Sequence, residues 1–254
     1  MSTYVYGVIP ATAAPDWPGA TGIDGPVRLV TDGELAALVS ELAPDHTPGR
    51  REDIEAHRRV LSLATASATT VPMRFGIVMD DEDEVRERLL EEHGSELADL
   101  VHKLDGHVQM TVRAYYAEDA LLAAAAAADP AIAQRAAALE GRSEIETRDE
   151  RIALGQMVAE AVTEQRGHDE QALLDRLAPL ATEVRVDPPG GDRVALNAHL
   201  LVRRERRPAL DAVVHELGKI LEGVLAIRYI GPLPPYSFAD VELEPDDGTR
   251  AGAR

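Results

Sequence analysis

The apolar residues from Val108 onward change their spacing in an order that restricts the fold more than any other feature of the sequence. A period of two predicts β-strands, and a spacing of three to four predicts helices. The predicted segments are a strand at 108–116, helices over about 117–178, strands at 180–186 and 193–202, a helix at 208–223 and a final core strand at 224–230. This βαββαβ order predicts a ferredoxin-like domain, with an antiparallel sheet on one side and helices on the other.

The helical region at about 117–178 is longer than a single crossover helix, so we interpret it as a long helical connector. Asp129-Pro130 and the vicinity of Gly141 are predicted to interrupt it, because proline and glycine disfavour the interior of a helix. An apolar stripe within it is predicted to be buried and comprises Leu154, Val158, Ala161 and Val162.

The first part of the chain also mixes strands and helices, without a clear repeat. Thr31 and Glu34 have the spacing of a capping box, which predicts a helix directly after them. Pro72 places its strand at an edge or delays the start of that strand, and the acidic run 80–84 is predicted to begin a helix. The predicted segments are strands at 4–9 and 27–30, helices at 35–42 and 51–68, a strand at 69–79, and helices through Leu104.

These patterns predict an α+β protein of two domains. The N-terminal mixed α+β domain is placed at 1–105, and the C-terminal ferredoxin-like domain at 106–254. The boundary is predicted within 104–125, and a polar C-terminal tail is predicted at about 245–254.

Composition argues against several classes of partner. The 254 residues carry a formal charge of −19, so the surface repels phosphate backbones and anionic lipid head groups. We therefore expect neither a nucleic-acid nor a membrane partner. No cysteine is present, which rules out thiol chemistry and disulfides. The sequence shows neither a secretory signal pattern nor an apolar run of about 20 residues, and these features predict a cytoplasmic protein.

Known catalytic and cofactor motifs are not matched. His215-Glu216 begins like the zinc-binding HExxH helix, but Lys219 stands where the second histidine is required. His199 is interpreted as a surface or hydrogen-bonded residue of a strand. Phosphate-binding glycine loops and the nucleophile elbow of serine hydrolases are also missing. We therefore predict no catalytic residue, no metal and no cofactor.

Two short motifs concentrate unusual residues. The first runs from Val71 to Gly76 and the second from Gly231 to Phe238. The second motif is rich in proline, which fixes φ and donates no backbone hydrogen bond, so it should be stiff and extended. The candidate interaction or structural residues of the two motifs are Pro72, Met73, Arg74, Phe75, Gly76, Gly231, Pro232, Pro234, Pro235, Tyr236 and Phe238.

Each motif allows two interpretations from its residues. The proline-rich motif is either a rigid turn whose aromatic residues are buried, or an exposed edge that a partner recognises. In the first motif, Arg74 and Phe75 point to opposite sides of a strand, and Gly76 permits close approach of a neighbour. A solvent-facing arginine on an edge strand explains that motif equally well. Both alternatives stay open at the level of sequence.

Taken together, the two motifs resemble the gas vesicle protein GvpL/GvpF family. The opening strand at 4–8, the strand at 196–202 and the helical segment at 151–155 are also similar to that family. Leu233 departs from the family pattern, which often has tryptophan there, and His199 stands where a small residue is usual. The resemblance covers most of the chain in order.

The resemblance implies a non-enzymatic role in building gas vesicles. Family members are regarded as minor vesicle components or assembly factors that bind the hydrophobic main shell protein GvpA and limit its aggregation. The implied partners are GvpA and other gas vesicle accessory proteins, at a cytoplasmic location associated with the vesicle. The implied fold has an α+β and a ferredoxin-like domain. A small-molecule-binding or regulatory module is the alternative, by analogy with other ferredoxin-like domains.

Overall fold

A computed structural model describes residues 2–13 and 20–241, and it shows an α+β protein with two β-sheets and one long helix. The predicted polar tail at about 245–254 lies outside the described residues. The chain packs as two compact units. Of the described residues, those up to Gln109 and those at 232–241 form the first unit, and Met110–Gly231 forms the second. The domain bounds 1–105 and 106–254 stay a prediction.

In the part of the chain that the structure describes, the first unit contains an antiparallel sheet and three segments of α- or π-helix. The strands are β1 Ser2–Pro10, β2 Arg28–Asp32, β3 Leu35–Leu42, β4 Val71–Pro72 and β5 Val78–Met79. The helices are α1 Arg51–Ser67, α2 Glu82–Glu84 with the π-helical turn Val85–Glu91 directly after it, and α3 Gly94–Leu104. The sheet order is β2-β3-β1-β4, and β5 also pairs with β1.

The centre of this sheet is covered on both faces. All but the terminal residues of β1 and all but one residue of β3 are buried, which leaves no solvent-facing side for polar alternation. The helix α1 packs against β1, whereas α3 contacts β1 and β3 and the π-helical turn contacts β2 and β3. The acidic run begins α2 as predicted, because the Asp81 carboxylate accepts a hydrogen bond from the Glu84 N–H.

The predicted helix at 35–42 is wrong, since these residues form β3. They pair with β2 through a tight turn in which Asp32 lies opposite Leu35 and Gly33 adopts a positive φ of 52°. A glycine suits that conformation, and glycine at the first of the two loop residues, Gly33 and Glu34, is a hairpin signal. The spacing of the leucines led to the wrong prediction because a strand that is buried on both faces does not alternate apolar and polar residues.

The predicted strand at 69–79 is present only at its ends, as β4 and β5. Residues 73–77 leave the regular ladder, and Gly76 adopts a φ of 96°. The short β4 lies at the end of the sheet path, as Pro72 predicted for an edge strand.

The second unit contains a four-stranded sheet and four helices. The strands are β6 His107–Tyr116, β7 Glu183–Val186, β8 Val194–Arg203 and β9 Leu225–Leu233, in the order β7-β8-β6-β9. The helices are α4 Ala120–Ala128, α5 Pro130–Leu139, α6 Arg148–Leu177 and α7 Arg207–Ile220. The helical connector breaks at Asp129-Pro130 and at Gly141, as the sequence predicted. Along the chain, the elements follow the predicted βαββαβ order.

The apolar stripe of α6 is only half-buried, which corrects the prediction of a buried stripe. Leu154, Val158, Ala161 and Val162 are all of intermediate exposure, whereas Leu173 near the end of the helix is buried. The helices that pack against this stretch, α4 and α5, are rich in alanine, and such short side chains cover little of α6.

The last strand, predicted at 224–230, is present, but its predicted position in the core is wrong. The strand β9 extends to Leu233, lies at an edge of its sheet, and buries only Leu225. An edge position explains how the strand accommodates Pro232, because an edge strand has one side without a ladder partner.

Candidate functional site

The first motif, residues 71–76, lies against β1. Val71 and Pro72 pair with Val8 and Gly7. A Cβ on Gly7 would approach the Val71 carbonyl oxygen to 2.8 Å, so the missing side chain permits this close pairing. The motif is therefore held to the sheet at its beginning.

Beyond Pro72, the Tyr4 hydroxyl takes the place of a backbone acceptor in the hydrogen-bond ladder between this segment and β1. The Met73 N–H donates to the Tyr6 carbonyl over 2.9 Å, and the Gly76 N–H donates to the Tyr4 hydroxyl over 3.0 Å. The Val5 N–H then donates to the Ile77 carbonyl, and regular pairing resumes. Residues 73–76 thus form a short excursion that the buried Tyr4 supports.

The second motif is mostly buried in its latter half. Pro234 and Pro235 are buried, and Tyr236–Phe238 forms a turn of 3₁₀ helix. The Ser237 N–H donates to the Gln109 side-chain oxygen over 2.9 Å. Phe238 is 1% exposed. These contacts fix the segment to the first unit.

The two motifs meet around the imidazole of His57. Phe75 contributes a ring from the first motif at 5.6 Å from the imidazole, nearly perpendicular to it. Tyr236 contributes a ring from the second motif, stacked at 6.4 Å. The ring centroids of Tyr4 and Tyr6, both in β1, each lie 5.7 Å from the centroid of the imidazole. We call these five side chains the aromatic cluster, and its two neighbouring tyrosines are themselves 4.8 Å apart.

The strand and the helix of the first unit position the members of this cluster. A β-bulge in β1 shifts its register between Val5 and Gly7, and Tyr6 is the extra residue. The Tyr6 hydroxyl forms a hydrogen bond with the Ser40 hydroxyl on β3 over 2.8 Å. The helix α1 presents His57 within its buried face, beside Ala56, Val60 and Leu61.

Hydrogen bonding and burial keep the cluster electrically neutral. The Tyr4 hydroxyl accepts a hydrogen bond from the Gly76 N–H and forms a second hydrogen bond, of 2.9 Å, with His57 Nδ1. Burial lowers the pKa of His57 to about 4, and the Met73 backbone opposes this shift only in part. Burial raises the pKa of Tyr236 to about 12. It also raises the pKa of Tyr4 and of Tyr6 above the ordinary value.

This arrangement is suited to holding segments together. Near neutral pH, His57 and the three tyrosines keep one protonation state, whereas a general acid or base works best with a pKa near the operating pH.

Within residues 2–13 and 20–241, no group of three or more histidine, aspartate or glutamate side chains could hold a metal ion. In that same part of the chain, no helix has the length and apolar character needed to cross a membrane.

Some motif residues stay open to solvent. Arg74, Gly76, Gly231 and Pro232 are exposed, whereas Pro72 and Met73 are buried and Phe75 and Tyr236 are half-buried. The Arg74 side chain is 77% exposed and forms an ion pair with Asp240 at 3.3 Å. An exposed pair of this kind contributes about 0–1 kcal/mol to stability. Arg74 therefore contributes little to the stability of the fold.

Sequence reasoning missed His57 as the centre of the cluster. A signal was present, because His57 falls on the same helical face as the apolar positions of α1, at a spacing of three or four residues. A histidine in such a stripe is expected to be buried. The two aromatic residues that flank it lie far apart in the sequence, so only the fold shows that they meet.

The comparisons with known proteins all point to the same family. Residues 2–240 match the model of the family described as gas vesicle synthesis protein GvpL/GvpF. Gas vesicle protein F of Streptomyces sp. (strain CB03234) is 36% identical over 250 residues, covering 94% of this chain and all of that protein. Gas vesicle protein L of the same strain is 30% identical over 256 residues, covering 93% of this chain and 92% of that protein.

Solved structures agree with these relatives. The crystal structure of gas vesicle protein GvpF from Anabaena sp. PCC7120 matches with a TM-score of 0.85 at 26% identity, covering 95% of this chain and 99% of that one. The GvpF structure from Microcystis aeruginosa matches with a TM-score of 0.78, also at 26% identity, covering 94% and 99%. The α+β fold with its two sheets and long helix, the sequence relatives and the family model therefore agree, and the chain belongs to the gas vesicle synthesis protein GvpL/GvpF family.

Proposed function

We propose that this chain is a non-enzymatic assembly factor that binds the hydrophobic main shell protein GvpA and limits its aggregation while gas vesicles form. The observation that carries the proposal is the match of residues 2–240 to a family described by gas vesicle synthesis. On this proposal the protein works in the cytoplasm, in association with the growing vesicle and with other vesicle accessory proteins.

The charge of the chain supports a solubilising role. Asp and Glu total 45 against 26 Lys and Arg, which gives the net charge of −19. A large net charge keeps proteins dispersed, because like-charged molecules repel one another. A complex between this chain and an apolar shell subunit would inherit that repulsion.

Within the two motifs, we propose a division of roles. The buried residues Pro234, Pro235 and Phe238 hold the segment in place, and the half-buried Phe75 and Tyr236 pack on His57. A partner could then be contacted through the exposed residues, of which Arg74 carries the only charge. Arginine is enriched among the residues that contribute most to binding at protein interfaces.

Co-expression tests the proposed function directly. The shell protein is produced alone, with the full-length chain, and with an unrelated acidic protein of similar size. We expect the soluble fraction of the shell protein to rise only with this chain, and the two proteins to co-purify. Equal solubility with the unrelated acidic protein would contradict a specific assembly role.

A matched pair of charge reversals tests the motif surface. Arg74→Glu changes an exposed arginine of the motif, and Arg51→Glu changes an arginine of α1 that is 90% exposed and paired with Glu55. We expect only the first variant to reduce co-purification, with both melting temperatures close to the wild type. If wild type binds and both variants bind equally well, the contact lies elsewhere although the role stands.

Small-molecule binding is a second candidate, and one feature of the second unit favours it. A groove of about 910 Å³ runs along α7 and β9, with Val214, Ile227 and Tyr229 among its lining residues. The Tyr229 hydroxyl donates to the Asp211 carboxylate over 2.7 Å. A rise in melting temperature with one compound of a metabolite panel, lost in Gly218→Trp at the groove wall, would support this function. A flat panel would count against it.

A further inference from the structure

The imidazole of His46 lies between two carboxylates in the first unit. Its Nδ1 is 2.6 Å from the Asp24 Oδ2, and its Nε2 is 3.2 Å from the Asp53 Oδ2. Both ring nitrogens therefore face an acceptor. Since a neutral imidazole carries only one N–H, only the protonated ring can donate to both carboxylates at once.

Each carboxylate is also bound to the backbone. Asp24 accepts a hydrogen bond from the Ala43 N–H over 3.0 Å. Asp53 accepts from the Gly49 N–H over 3.0 Å and from the Arg50 N–H over 2.8 Å, at the start of α1. The His46 ring thus joins three parts of the unit, which are the 20–27 loop, the 43–50 connection and the first turn of α1.

The 20–27 loop covers buried groups of the sheet. Its Ile23 N–H donates to the Tyr6 hydroxyl over 2.8 Å. A Cβ on Gly22 would collide with that hydroxyl and would lie 2.7 Å from the Ser40 Oγ. The position of the loop is therefore tightly defined where it meets Tyr6.

The charges around His46 favour its protonated form. Hydrogen bonds to Asp24 and then to Asp53 raise the pKa of His46 above its ordinary value of about 6.5. Burial alone would raise the pKa of Asp53, but the hydrogen bonds from Gly49, Arg50 and His46 outweigh it and lower that pKa. The adjoining Asp45 is exposed to solvent.

We propose that His46 is a protonation-dependent latch that ties the 20–27 loop and the 43–50 connection to the start of α1. When the ring loses its proton, the remaining N–H stays with Asp24, which makes the shorter contact. The Nε2 lone pair then faces the Asp53 carboxylate, and this contact is lost. Asp24 and His46 separate together from α1, and the cover over Tyr6 loosens.

The direction of the pH effect follows from the raised pKa. A group whose pKa is higher in the folded protein than in the unfolded chain stabilises the fold fully below the unfolded value. This contribution is then lost as the pH rises through the folded value. The latch is therefore closed below about pH 6.5 and opens as the solution becomes alkaline, within the range in which histidine acts as a switch.

Amide hydrogen exchange of the full chain tests the latch between pH 6 and pH 9. After correction for intrinsic exchange, we expect the protection of the Ile23 amide to fall several-fold across this range, whereas the Ala43 amide, whose acceptor Asp24 stays with His46, should change less. An NMR titration of His46 should give a midpoint above 6.5. His46→Asn should abolish the pH dependence of the Ile23 amide, and the control Asp45→Asn should retain it.

Protection that is unchanged from pH 6 to pH 9 would overturn the proposal, and so would a His46 midpoint at or below 6.5. If His46→Asn does not fold, Asp24→Asn takes its place, since it removes one carboxylate and leaves the ring. That variant should lower the His46 midpoint. A midpoint equal to that of the wild type would also overturn the latch.

Discussion

The imidazole of His57 shows how neighbours decide the behaviour of a single residue. Free histidine titrates near neutral pH, but His57 is 2% exposed and packs between aromatic rings. Burial disfavours the charged form, so the residue stays neutral. The sequence predicts a position on the buried face of α1, but it does not predict which rings surround it. Those rings come from segments whose meeting depends on the whole first unit.

Acid should destabilise the first unit through His57. Because the pKa is about 4 in the folded protein and about 6.5 in the unfolded chain, the unfolded state binds more protons between these values. The contribution of His57 to the free energy of unfolding is complete above pH 6.5 and falls toward pH 4, by up to about 1.4 kcal/mol per pH unit. Urea unfolding at several pH values measures this slope, which should be smaller in His57→Leu than in wild type.

Phe75→Leu provides the control for that experiment. It removes a ring contact of His57 without removing a titrating group, so it should lower stability and keep the acid slope. An equal slope in wild type and His57→Leu would show that burial does not control this histidine.

Truncation of a side chain in either motif should be costly only where that side chain is buried. Phe238 is 1% exposed, and replacing such a residue by alanine costs about 3–5 kcal/mol. Arg74→Ala removes an exposed ion pair and should cost no more than about 1 kcal/mol. Denaturant midpoints measure both effects. Similar losses for the two variants would be inconsistent with the packing described for Phe238.

At the scale of elements, the hairpin of β2 and β3 shows where periodicity fails. Leu35, Leu38 and Leu42 have helical spacing, but every residue from 35 to 40 is buried in a strand covered on both faces. Apolar residues recur with a regular period when one face of an element is buried and the other faces solvent. A strand that is buried on both faces has no such period. The glycine of the Gly33-Glu34 turn held the correct information, because local turn chemistry does not depend on burial.

The long helix α6 should gain stability from a single methyl group. Gly155 lies inside it, and a Cβ there would meet nothing within 4 Å. Glycine in a helix costs about 0.5–1 kcal/mol relative to alanine, so Gly155→Ala should stabilise the second unit by that amount. The same change at Gly7, where a Cβ would lie 2.8 Å from a carbonyl, should cost about 1–3 kcal/mol.

Thermal unfolding of the two glycine variants measures these opposite effects. A stabilised Gly7→Ala protein would contradict the close pairing of β1 with β4. A destabilised Gly155→Ala protein would show that the outer side of α6 is occupied at that point.

At the scale of the whole molecule, the order of elements in the second unit was predictable from the sequence, whereas the environment of each element was not. The two α+β halves and the βαββαβ order followed from periodicity, which is a local property of the chain. The edge position of β9, the half-buried stripe of α6 and the meeting of the two motifs at His57 depend on partners distant in sequence. The local pattern of apolar and polar residues carries no information about such distant partners.

Salt should stabilise the whole molecule because of its net charge of −19. Repulsion among excess carboxylates opposes the compact state, and raising the ionic strength from about 0.01 to about 0.15 M shortens the screening length from about 30 to about 8 Å. We expect the melting temperature to rise over this interval. NaCl and KCl should act alike, and a fall in melting temperature would indicate that attractive ion pairs dominate instead.

The edge strand β9 ends in a segment that cannot act as a template. An exposed strand edge offers backbone donors and acceptors on which further strands, and eventually fibrils, can grow. Residues 232–235 contain three prolines, at 232, 234 and 235, and none of these has an N–H to offer. Cross-β growth along this edge therefore stops where the prolines begin, so the chain carries its own terminator against strand addition at this edge.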